Sequence, residues 1–156
     1  MNREHALFEA VRCVAVTPSD TAPALVALEA EMMVSRNGKT RSVSAEKFFI
    51  GPAIDITRMT VLEKDDILTE IRIPKKWAGA KQYFEKVADR ETWDFALVNL
   101  AMVAKTSGGK VTDVRMTCGG VQCTPRRLTS VESLMKGEKI GPEMETLVNR
   151  VAAQGA

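Results

Sequence analysis

Histidine is nearly absent from this sequence: His5 stands alone, close to the N-terminus. A single imidazole cannot build a histidine metal site or a Ser–His–Asp triad, so no catalytic and no metal-ligating residue is assigned. Cysteine is scarce too. Cys13, Cys118 and Cys123 form no C-x-x-C pair, and Cys118 with Cys123 falls short of the four ligands of an iron–sulfur cluster, so all three read as free thiols. No stretch approaches the ~20 apolar residues of a membrane span. The opening MNREHALFEAVR is too mixed and charged for a signal peptide or an anchor, which makes the cytoplasm the expected location. Net charge is small: 22 basic against 20 acidic residues leave +2, giving no reason to expect nucleic acid or an anionic membrane as partner. The paired basics Lys75-Lys76 and Arg126-Arg127 read as solvated loop charges. The phosphate-cradling patterns G-x-G-x-x-G and G-x-x-x-x-G-K-[ST] do not occur, and Gly119-Gly120 reads as a turn between strand and helix.

What is present describes a globular chain. Its 156 residues are 45% apolar and 27% charged, enough to bury roughly 70% of the unfolded surface without disulfides. Val11–Val16 reads as a short strand. The junction Pro18-Ser19-Asp20 then caps a helix running to about Glu29, with Pro23 in its first turn. Asn37-Gly38 between Glu31–Arg36 and Lys39–Ser44 is a hairpin signal. Ser44–Lys47 opens a helical turn bearing Phe48 and Phe49, closed by Gly51-Pro52. Ile67–Ile73 alternates, with Ile67, Thr69, Ile71 and Ile73 on one face, as a half-buried strand does. Pro74–Ala80 has the composition of a linker, so the chain divides into 1–74 and 75–156. Strands follow at Lys81–Ala88, Phe95–Lys105 and Val111–Thr117, the last two joined by the turn Ser107–Lys110. Two helices, Arg126–Lys136 and Pro142–Gln154, close the chain. Strands run together and helices cluster at the end, so the second part is α+β with an antiparallel sheet.

Chemistry-bearing groups are few. The Ser19-Asp20 cap turns backbone N–H groups and a carboxylate toward whatever lies beside it. Asp65-Asp66 reads as a turn cap ahead of a strand. Lys86 sits on a strand next to the acidic and basic loop Asp89-Arg90-Glu91. It is either a surface lysine paired to Asp89 or Glu91, or a cation presented to a cofactor.

Five stretches, in order, resemble the C-terminal half of the FAD-binding (medium) subunit of the molybdenum hydroxylases, the family of xanthine dehydrogenase, aerobic carbon monoxide dehydrogenase and 4-hydroxybenzoyl-CoA reductase. They are NREHALFEAVRCVAVTPSDTAPALVALEAEM, GKTRSVSAEKFFIGP, LEKDDILTEIRIP, FEKVADRETWDFALVNLAMVAK and VTDVRMTCGGVQCTPRRLTSVESLMKG. The resemblance implies an α+β chain in which 1–74 is the second lobe of a two-lobed FAD-binding domain. Residues 75–156 would be a small antiparallel-sheet domain with C-terminal helices. It implies FAD as cofactor, with Asp20 hydrogen-bonding it, Leu68 packing on the isoalloxazine ring and Lys86 near the flavin's pyrimidine edge. Molybdopterin and two 2Fe–2S clusters are expected on partner subunits, a molybdenum-binding large subunit and a 2Fe–2S small subunit. The family's glycine-rich pyrophosphate loops, which resemble AGGT and TIGGN, do not occur in this sequence. The FAD site is therefore expected to be partial, completed by a missing N-terminal lobe, and the isolated chain to be inactive.

On this reading the chain helps to hold FAD that passes electrons from 2Fe–2S clusters to an acceptor. The alternative is a non-catalytic interaction or assembly module that keeps the fold and does not bind FAD by itself.

Overall fold

The computed structural model describes residues 6–8 and 15–152; His5, Cys13 and most of the expected strand Val11–Val16 lie outside the described residues. The described architecture is α+β, with two antiparallel sheets and a helix between them.

The first sheet has the order β2-β1-β3. β1 (Glu31–Arg36) and β2 (Lys39–Ser44) form the expected hairpin around Asn37 and Gly38, both at positive φ, as a two-residue turn requires. β3 (Ile67–Arg72) pairs with β1 on the other side, with a bulge. Thr69 is the extra residue: Glu70 faces Met33, Leu68 faces Val34, and the Thr69 hydroxyl donates to the Met33 carbonyl at 3.1 Å. The bulge breaks the alternation counted along the sequence. Leu68 turns toward the core, while Ile67, Ile71 and Ile73 stay exposed, not half-buried as a common face.

The second sheet has the order β4-β5-β6-β7. β4 (Lys81–Val87), β5 (Val98–Ser107) and β6 (Lys110–Gly119) match the expected strands, β4 stopping just short of Ala88, β5 beginning and ending later, and β6 longer at both ends. β7 is Arg126–Arg127, a pair the sequence reading placed in a helix. That helix, α3, begins only at Thr129 and ends at Met135. α4 (Pro142–Ala152) follows. Together α3 and α4 cover one face of the sheet with Val131, Met135 and Met144 against Ala104, Val111, Val114 and Met116.

Helix α1 (Thr21–Ala27) joins the two halves. Val26 and the following Ala30 enter the first core with Met32, Val34, Phe48 from α2 (Ala45–Phe48) and Leu68. Ala24, Ala27 and Leu28 face the second sheet at Ala101 and Val103. Trp77, in a single 3-10 turn at Lys75–Trp77, is 2% exposed and belongs to the same cluster. The linker-like segment is thus pinned by a buried indole, and Lys76 lies over that ring. Arg115 of β6 donates to the Val26 and Ala27 carbonyls at the end of α1 and pairs with Glu46 of α2. Arg127 pairs with the same Glu46 and with the buried Glu132. Arg127 is therefore not a solvated loop charge, whereas Lys76 stays exposed to solvent while pairing with Glu29 at 2.8 Å.

Candidate functional site

A cleft of about 330 Å³ opens where the entry to α1 meets the ends of β4, β5 and β6. Thr17, Ser19, Asp20, Lys86, Asp94, Asn99 and Gly120 supply its polar lining, and Trp93 and Phe95 its aromatic rim. Trp93 is 94% exposed and held at φ +57°, so an indole stands in solvent beside a cleft. Small-molecule sites have this mixture of apolar surface and a few converging polar groups, and the volume lies at the low end of their range.

Each polar group is set by its element. Ser19, not Asp20, performs the helix cap: its Oγ accepts from the Ala22 N–H at 3.1 Å, and Asp20 makes no capping bond. The Asp20 carboxylate is thereby released to face the cleft. Its Oδ2 accepts from Lys86 Nζ at 2.8 Å and its Oδ1 from Asn99 Nδ2 at 3.2 Å. Lys86 also donates to the Asp94 carbonyl at 2.7 Å. Lys86 is therefore paired with Asp20, and not with Asp89 or Glu91. Both side chains of the pair remain partly open to solvent.

The glycines read as a bland turn have specific tasks here. A Cβ on Gly119 would stand 2.3 Å from Asn99 Oδ1 and 2.7 Å from Pro23 Cγ. Gly120 takes φ +80°, and a Cβ there would stand 2.9 Å from the Leu97 carbonyl oxygen and 3.0 Å from that of Ala96, so the position is closed to other residues.

Of the three residues assigned from the sequence, the structure brings Asp20 and Lys86 together, across 66 positions of chain. Leu68 does not line the cleft; it is half-buried against the first core. The sequence reading missed Asn99, Asp94, Trp93 and Phe95. Asn99 had a visible signal, as the single polar residue in the apolar run from Phe95 to Ala104. Among the described residues no cluster of histidine, cysteine and acidic side chains could hold a metal ion, and no helix is long and apolar enough to cross a membrane.

The chain matches two family models: the FAD binding domain in molybdopterin dehydrogenase over residues 12–76, and the CO dehydrogenase flavoprotein C-terminal domain over residues 82–154. It belongs to the family of FAD-binding medium subunits of molybdenum hydroxylases. The glyceraldehyde dehydrogenase medium chain of Sulfolobus acidocaldarius is 31% identical over 87% of this chain and 46% of its own length. The carbon monoxide dehydrogenase medium chain of Hydrogenophaga pseudoflava is 32% identical over 81% of this chain and 42% of its own. The solved carbon monoxide dehydrogenase from Hydrogenophaga pseudoflava superposes with a TM-score of 0.75 at 30% identity, covering 86% of this chain and 45% of that one. The chain thus spans slightly less than half the length of the curated relatives it matches.

Proposed function

We propose that this chain forms part of the FAD site of a molybdenum hydroxylase and helps to hold a flavin that takes electrons from 2Fe–2S clusters and hands them to an acceptor. The observation that carries this reading is the meeting of Asp20 and Lys86 at one cleft with exposed aromatic rings at its rim. When bound, FAD supplies the redox chemistry; the protein orients it and tunes it.

The donor set fits such a group. Asp20 offers an acceptor to hydroxyl groups of the ligand. Lys86 offers a positive charge, which favours an anionic reduced ring over a neutral one. The buried Asn99 Oδ1 has no hydrogen-bond partner among the described residues, which marks this corner as polar beyond what the protein itself uses. Leu68 keeps its proposed role as an apolar contact. Since it does not line the cleft, that contact requires the ring to extend beyond the space shared by Asp20 and Lys86. A cleft of this size takes part of a dinucleotide, so the pyrophosphate is assigned to a further lobe carrying glycine-rich loops. The exposed Ile54, Ile56, Ile67 and Ile73 give such a lobe an apolar surface to cover. The partners proposed are the molybdenum-binding large subunit and the 2Fe–2S small subunit, in the cytoplasm.

Affinity capture of the tagged chain from its native cells tests the reading. It predicts recovery with molybdopterin-bearing and 2Fe–2S-bearing subunits, together with FAD. Recovery with an unrelated partner and no flavin would establish the interaction module instead. Purified alone, the chain is expected to be colourless and inactive; tight stoichiometric flavin would refute the need for separate phosphate loops.

A further inference from the structure

Asn99 is 2% exposed, and burying a carboxamide is unfavourable unless its hydrogen bonds are used. Only its donor end is used: Nδ2 meets Asp20 Oδ1 at 3.2 Å, while Oδ1 has no partner among the described residues. The charge of Asp20 fixes this orientation, because a reversed amide would set oxygen against oxygen.

The sheet explains the placement. Lys86 pairs directly with Asn99 across β4 and β5, and Asn99 pairs directly with Gly119 across β5 and β6. One row across three strands thus provides an ammonium for one carboxylate oxygen, an amide for the other, and a missing side chain that leaves the amide its space. Asp20 comes from a different segment, and Lys86 and Asn99 are its side-chain partners among the described residues. An ion pair as open to solvent as Asp20 and Lys86 gains little by itself and does not hold two flexible side chains in one geometry. A second, buried donor on the other oxygen does.

We infer that Asn99 is a positioning residue: it locks the Asp20 carboxylate in one orientation and, through it, the Lys86 ammonium at the mouth of the cleft. Its consequence for the flavin rests on the function proposed above; the locking itself does not.

Asn99→Leu removes the donor at similar size. Asn99→Ser serves where leucine does not fold, since it fits the space and does not reach Asp20. The first readout needs no ligand: three-bond NMR couplings reporting Asp20 χ1 in the chain. The native chain should show one rotamer and the variants an average; a single retained rotamer in the variants would overturn the inference. The second readout is FAD affinity in the assembled complex, in a double-mutant cycle with Asp20→Ala. Asn99→Leu should weaken FAD roughly tenfold with Asp20 present, the effect of a hydrogen bond to a charged group, and less than twofold without it. Equal losses in both backgrounds would overturn the inference, because Asn99 would then act on the fold and not through Asp20. Rotamer averaging with unchanged FAD affinity in both single variants would leave the positioning role standing and remove the flavin reading.

Discussion

Asp20 Oδ2 and Lys86 Nζ lie 2.8 Å apart, one at the entry to a helix and the other on an edge strand of the second sheet. The two residues come from different family domains, 12–76 and 82–154. The cleft therefore exists only when both halves are docked, which α1, Trp77 and the Arg115 and Arg127 bonds to Glu46 bring about.

Gly119→Ala tests how tightly that corner is packed. Its Cβ would meet Asn99 Oδ1 and Pro23 Cγ well inside contact distance. The expected outcome is a loss of about 1–3 kcal/mol in urea unfolding, the usual cost of overpacking. Ala at the open Gly141, where nothing lies within 4 Å, should have a much smaller effect.

Glu132→Ala probes the buried ion pair beneath β7. Glu132 is 4% exposed, accepts from the Met116 N–H at 3.0 Å and pairs with Arg127. Removing it leaves a buried N–H and a partly buried guanidinium without that acceptor. A loss of about 2–4 kcal/mol is expected, measured by denaturant unfolding.

Stability should depend on acid through Asp66. Arg41, then Arg36, then the Glu63 N–H hold its carboxyl well below the ordinary carboxylate value of 3.8. A folded-state value below the unfolded one gives stability that is complete above the unfolded value and is lost as pH falls below it. Unfolding free energy should therefore decline as pH drops below about 4, and Asp66→Asn should flatten that decline while lowering stability at neutral pH. Urea titrations between pH 2 and 7 on both proteins provide the check.

Cys118 should resist alkylation in the folded chain. Burial pushes its thiol up to about 11, so little thiolate forms at pH 8. Iodoacetamide labelling read by peptide mass spectrometry should leave Cys118 unmodified until denaturant is added; rapid native labelling would contradict the burial.

Much of the fold was legible because its signals are local. Asn37-Gly38 names its own hairpin, Pro142 its own helix start, and the turn Ser107–Lys110 marks the runs on either side of it as paired strands, which the apolar run Phe95–Lys105 alone does not. What escaped depends on tertiary context. The bulge at Thr69 breaks an alternation that looks regular in sequence. Trp77 turns a segment of linker composition into a buried anchor. Arg126 and Arg127 extend a sheet because β6 offers them a free edge, although helix signals follow at once. At the site, Asp20 and Lys86 were individually legible, but their mutual pairing required the sheet register. Asn99 was marked in the sequence only as a polar break in an apolar run, and its meaning required knowing what faces it.

Lys86 is proposed to present its charge to a bound flavin. The most direct measurement is the affinity and rate of reduction of FAD in the assembled complex carrying Lys86→Ala. Weaker FAD binding and slower flavin reduction are expected, with the complex itself intact. Unchanged affinity and unchanged reduction rate would contradict it.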